Sequence, residues 1–165
     1  MGIEIERRFL VQKNDWQLLI KAEKYLQQGY ISSDSGGWTT RVRIDSYKTA
    51  FLTLKYPLKN NINNEFEYLI PLDDAKSIWK LLAYKITKKR YLLSLKGGDW
   101  IVDCFENENA PLMIAEVEVG RNISNLAKPD WCDQEITGNY KLSNASLAKH
   151  PIRNWSKDEK QLINL

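Results

Sequence analysis

The sequence predicts an α+β domain of about eight antiparallel strands with a few flanking helices, a set that can close on itself as a barrel. Three observations carry that expectation. First, seven short stretches set residues two apart among apolar neighbours: Glu4/Glu6, Arg41/Arg43, Thr53/Lys55, Glu65/Glu67, Lys88/Arg90, Asp103/Phe105 and Glu116/Glu118. Two is the strand period, so both members of a pair project to one face of a sheet. Second, turn-forming clusters rich in Gly, Asn, Asp and Ser punctuate the chain between strand-like runs. Third, 165 residues, 43% hydrophobic and 27% charged, suit one ordinary domain with a real core.

Residues 3–11 alternate as a first strand. Asn14 or Asp15 can cap a helix to about Gln27, with Trp16, Leu19, Ile20 and Tyr25 on its apolar side. Residues 28–31 read as a strand and 32–37 as a turn. Residues 39–44 and 50–56 form a hairpin; after a turn at 59–64, a strand spans 65–70. Pro71 and Asp73-Asp74 open a helix over 75–84. Strands follow at 85–94, 100–106, 113–119 and 134–137, with short helical pieces at 125–128 and 143–149. Ser156-Lys157-Asp158-Glu159 is a capping-box pattern that starts a last helix.

Composition excludes several classes of function. No apolar run approaches the roughly 18–20 residues of a membrane span, and the opening residues lack signal-peptide character, so a cytoplasmic protein is expected. Two cysteines without ligand spacing and a single histidine argue against zinc and against Ser-His or Cys-His catalysis. A formal charge of +3 gives no reason to expect nucleic acid. Cys104 reads as a buried thiol and His150 as a surface residue. Trp16 and Trp79 read as core, while Trp38, Trp100, Trp131 and Trp155 fall at turns or element ends, within reach of a barrel mouth.

For any one charged pair, the plain reading is a strand whose polar face meets water. The set is less ordinary, because glutamates stand on some strands and arginines or lysines on others. Periodicity alone does not distinguish a charged lumen from a charged exterior.

The opening Glu4-Ile5-Glu6-Arg7-Arg8-Phe9-Leu10-Val11 resembles the Glu-x-Glu-x-Lys signature of the CYTH superfamily, the triphosphate tunnel metalloenzymes. Gln28-Gly29-Tyr30, Arg41-Val42-Arg43, Leu52-Thr53-Leu54-Lys55 and Glu65-Phe66-Glu67-Tyr68 are each similar to a family strand. So are Lys88-Lys89-Arg90-Tyr91, Asp103-Cys104-Phe105 and Ala115-Glu116-Val117-Glu118-Val119, and Glu135-Ile136-Thr137-Gly138 with Asn144 resembles the last strand and the helix after it. The resemblance implies a single domain over residues 1–165, a tunnel of eight antiparallel strands with its charges inward.

By that resemblance Asp103, Glu116 and Glu118 bind metal, and Glu4 and Glu6 serve a second metal or order the attacking water. Oxygen ligands of this kind favour Mg²⁺ or Mn²⁺. Arg8, Arg41, Arg43, Lys55, Lys88, Arg90 and Lys141 match phosphate-binding positions, Lys55 or Lys88 can serve as base, and Glu65 and Glu67 orient the cations. Cations crowded into one lumen repel by about 4 kcal/mol per pair at ~4 Å and an effective dielectric near ~20, a cost a bound polyanion relieves. The chain departs from the pattern at Arg8 (lysine in the signature), Asn63 (often Arg), Asn139 (usually Asp) and Leu142 (often Tyr). The expected activity is metal-dependent hydrolysis of a short linear triphosphate, inorganic tripolyphosphate foremost. Thiamine triphosphatase, class IV-type adenylate cyclase and a non-catalytic triphosphate or nucleotide binder are the alternatives. The expected partner is a small-molecule triphosphate, with no nucleic acid and no membrane; a homodimer stays open.

Overall fold

The computed structural model describes residues 2–33, 37–58, 62–118 and 126–165, and the side chains from residue 5 onward within them. The strands are β1 (Gly2–Val11), β2 (Ile20–Ser33), β3 (Thr39–Asp45), β4 (Thr49–Pro57), β5 (Ile62–Leu69), β6 (Tyr84–Leu93), β7 (Asp99–Phe105), β8 (Met113–Glu118) and β9 (Cys132–Glu135). Three short helices, α1 (Leu72–Leu81), α2 (Asn144–Lys149) and α3 (Lys157–Gln161), accompany them.

The sheet order is β5-β4-β3-β2-β6-β7-β8-β1-β9, and β5 also pairs with β1, so eight antiparallel strands close into a barrel. Closure is shared along β1. Gly2–Ile5 pairs with β5, while Phe9 and Val11 pair with β9. The expected eight-stranded barrel with flanking helices is therefore present.

Register carries the period-two pairs to a common face. Arg8 stands opposite Glu116 and Glu6 opposite Glu118, Arg90 opposite Asp103, Arg41 opposite Thr53, and Lys55 opposite Glu65. Directly opposed residues share a face, so this face is the lumen. Farther along the same strands it turns apolar. Leu10, Ile86, Phe105 and Ile114 pack there against Leu142, Leu147, Ile152 and Trp155, so the C-terminal segment seals one end.

Two outer cores hold the wall from outside. Phe9, Val102 and Val117 pack with Trp16, Trp100, Trp131 and Cys132; Val42, Ile44 and Ala50 pack under Ala75 of α1. Gly29 permits the close approach of α1, since a Cβ there would meet the Leu82 side chain and stand 3.3 Å from the Trp79 ring.

The largest departure from expectation lies at residues 14–27. Only Asp15–Leu19 is helical, as a 3₁₀ turn, and β2 already starts at Ile20. Helix-favouring Lys21-Ala22-Glu23-Lys24 is held extended because its backbone pairs with β6, from Ile20↔Leu93 to Tyr30↔Tyr84. Tertiary pairing here overrides a weak local preference. The turns expected at 32–37 and 59–64 and the helical piece at 125–128 fall partly outside the described residues, and residues 126–128 are not helical. No helix among the described residues is long and apolar enough to cross a membrane.

Candidate active site

A cavity of about 330 Å³ occupies the polar part of the lumen. Its wall includes Glu6 and Arg8 from β1, Gln28 and Tyr30 from β2, Arg41 and Arg43 from β3, Lys55 from β4, Asn63 and Glu65 from β5, Arg90 from β6 and Glu116 from β8. Tyr140, Ser143 and Asn144 from the sealing segment also line it. None of the six tryptophans does.

The cations are held in two groups. On the β3–β5 side, Arg43 donates to Glu67 Oε1 (2.9 Å), and Arg41 lies 3.7 Å from Glu65 and 3.8 Å from Glu67. Lys55 Nζ is 3.5 Å from Glu65, so Glu65 and Glu67 both stand against these cations. Four buried polar atoms on the adjoining β2–β3 wall lack hydrogen-bond partners: Gln28 Oε1, Tyr30 Oη, Arg41 Nε and Arg43 Nε. Each such group costs about 1–3 kcal/mol of desolvation until a partner arrives. Burial also pushes the Tyr30 phenol up to about 12, against the pull of Arg41 and Lys55, so it stays protonated as a donor.

The second group is a buried chain of opposite charges. Asp103 accepts from Arg90 through both oxygens, at 2.8 and 2.7 Å, and from Lys88 Nζ at 2.5 Å. Lys88 also donates to Asn144 Oδ1 (3.2 Å). Glu116 accepts from Arg8 (3.0 Å) on one oxygen and from Arg90 (3.1 Å) on the other. Burial opposes ionisation of Asp103, but Arg90 and Lys88 outweigh it and hold the carboxyl well below the usual range. Burial brings the Lys88 ammonium down to about 8, despite Asp103.

Several expected residues sit away from the cavity surface. Lys88 and Asp103 are fully buried behind it, and Glu118 is exposed outside the lining set. Lys141 points outward, 3.2 Å from Glu159. The Glu4 side chain lies outside the described ones, although register sets its backbone opposite Asn63. Gln28, Tyr30, Tyr140 and Ser143 were not among the expected site residues. For Gln28 and Tyr30 the signal was available, since two polar side chains two apart on a strand share a face.

Hard oxygen donors suited to a divalent cation are present. Glu6 and Glu118 stand directly opposite each other, with Glu116 two residues along β8 and Asp99 opposite Glu118 on β7. Like charges so placed are destabilising, and a divalent cation would relieve the repulsion. Among the described residues no three acids are already drawn together as a metal cluster.

A closed barrel with a basic cavity and carboxylates on the same inner face defines a small polyanion-binding protein. The chain belongs to the CYTH domain family, whose model matches residues 2–151. It is 38% identical to an inorganic triphosphatase of Acetivibrio thermocellus over 157 residues, 94% of this chain and 99% of that protein. The crystal structure of an inorganic triphosphatase superposes with a TM-score of 0.66 at 28% identity, covering 90% of this chain and 95% of the other. A protein of Pyrococcus horikoshii shares the fold with a TM-score of 0.59 at 19% identity, over 72% of this chain and 79% of its own. The family is generally dependent on a divalent metal.

Proposed function

We propose that this chain, as one domain over residues 1–165, hydrolyses a short linear triphosphate, inorganic tripolyphosphate foremost, with Mg²⁺ or Mn²⁺. The observation that carries this reading is the cavity wall, where Arg41, Arg43 and Lys55 stand together and the buried Nε groups of Arg41 and Arg43 have no hydrogen-bond partner. A linear polyanion supplies the acceptors they lack, and arginine can meet phosphate oxygens with paired donors.

In this reading Arg41, Arg43 and Lys55 hold the phosphate chain, and Arg90, anchored by Asp103 and Glu116, offers its remaining N–H groups from the opposite side. Glu6, Glu116 and Glu118, with Glu4, would hold the metal. Bound there, the ion would neutralise phosphate oxygens and acidify a coordinated water. Asp103 orients Lys88 and Arg90, because it lies fully buried behind the cavity wall and accepts from both. Lys55 has access to the cavity as proton acceptor, while Lys88 has the lowered basicity but lies behind the wall. Lys141 takes no part. Water attacks the terminal phosphorus, the bond to the bridging oxygen breaks, and phosphate and pyrophosphate leave.

Tripolyphosphate ranks above thiamine triphosphate and ATP because the relative 38% identical over 94% of this chain is an inorganic triphosphatase. The test is phosphate release from all three with Mg²⁺ or Mn²⁺. Tripolyphosphate should be the fastest; a preference for ATP, or cyclic AMP formed from it, would overturn this ranking. A cytoplasmic location belongs to the same reading.

A further inference from the structure

Two departures from the family signature meet at one hydrogen bond. Arg8 replaces the signature lysine, and its guanidinium is committed on two sides. Its Nε donates to Glu116 Oε1 at 3.0 Å and its Nη2 to the main-chain oxygen of Leu142 at 3.1 Å. Glu6 lies 4.0 Å from the same Nε. The Leu142 side chain is fully buried in the core that seals the barrel, which leaves its carbonyl turned to Arg8.

We infer that Arg8 is a positioning residue that ties the Glu116 carboxylate on the wall to the sealing segment at Leu142, instead of gripping phosphate. The kinetic part rests on the triphosphatase reading; the tie itself does not. A guanidinium presents donors in several fixed directions and can satisfy a carboxylate and a carbonyl together, whereas an ammonium is a single point charge. The bonds to Glu116 and Leu142 fix the guanidinium and leave Arg8 only its remaining N–H groups for phosphate, and displacing the Leu142 bond would leave a buried carbonyl unpaired. Arg41 and Arg43 pair only with side chains, Thr53, Glu65 and Glu67 among the described contacts, so a phosphate taken there strands no main-chain carbonyl.

The experiment compares Arg8→Lys, Arg8→Met and Glu116→Gln, with the double variant Arg8→Lys/Glu116→Gln. Arg8→Lys preserves the charge but not the fork. The tie predicts that it lowers Tm and lowers kcat for tripolyphosphate at least tenfold, with KM within threefold of wild type. It also predicts that the Tm losses of Arg8→Lys and Glu116→Gln are less than additive in the double variant. A phosphate grip predicts the reverse: Arg8→Lys close to wild type, and Arg8→Met with KM raised more than tenfold at unchanged Tm. Either of those results, or additive Tm losses, overturns the inference. If wild type hydrolyses nothing, the activity reading fails, and the Tm cycle still decides the tie. If Arg8→Met does not fold, Arg8→Lys and the cycle carry the decision.

Discussion

At the scale of single residues, the site works because charges of both signs share a low-dielectric lumen. In the proposed site, Arg41→Ala would remove one of the cations that hold the phosphate chain. Charge-assisted hydrogen bonds are worth about 1.5–3 kcal/mol, so Arg41→Ala should raise the KM for tripolyphosphate roughly 10- to 100-fold. Steady-state kinetics check this; an unchanged KM would place the phosphate elsewhere. Asp103 gives a pH prediction. Its carboxyl lies below the ordinary value in the folded state, because Arg90 and Lys88 overcome the effect of burial. The stability it contributes is therefore complete above the unfolded carboxyl pKa of about 4 and is lost as pH falls toward the lower folded value. Denaturant titrations below pH 4 should show wild type losing stability faster than Asp103→Asn. At neutral pH, Asp103→Ala would leave the buried Lys88 ammonium without its carboxylate and Arg90 with Glu116 alone, and should cost about 3–5 kcal/mol. Much at this scale was legible in the sequence: Arg41, Arg43, Lys55, Arg90, Glu6 and Glu116 all reach the cavity wall. The depth of Lys88 and Asp103 was not, because strand period assigns a face and says nothing about height along the barrel.

Among the elements, the sealing segment positions the site from below. Ser143 caps α2 by accepting from the Ser146 amide, and Leu147 anchors it in the core. Leu147→Ala should cost about 2–5 kcal/mol, measurable by urea unfolding. A value near zero would mean the segment does not seal the barrel. The Ser156 capping box was read from four residues and is present with both of its hydrogen bonds, since local capping chemistry is written in adjacent positions. Residues 20–27 show the opposite case. Their charged, helix-favouring composition conceals a strand whose partner, β6, lies 60 to 73 residues away, from Gln27↔Thr87 to Ile20↔Leu93. No local window contains that information.

For the whole molecule, closure is what turns strand patterns into a cavity. The eight antiparallel strands and inward charges were expected from motifs spread along the chain, but the wall's unpartnered donors emerge only when β2 and β3 are brought side by side. A site built with unmet hydrogen-bonding capacity should gain stability on binding. Tripolyphosphate with Mg²⁺ at about 100 times its dissociation constant should add about 2.7 kcal/mol, seen as a rise in Tm. The same addition should do much less for Arg41→Ala.

The most direct test follows the conversion of tripolyphosphate by phosphorus NMR with Mg²⁺ or Mn²⁺, for wild type and for Glu118→Gln, an exposed position whose replacement leaves the buried charge chain intact. The proposed hydrolysis predicts phosphate and pyrophosphate in equal amounts from wild type, and a rate lower by about 10²–10³-fold in the variant. Intact tripolyphosphate in the presence of active-folded wild type, or an undiminished rate in Glu118→Gln, would contradict it.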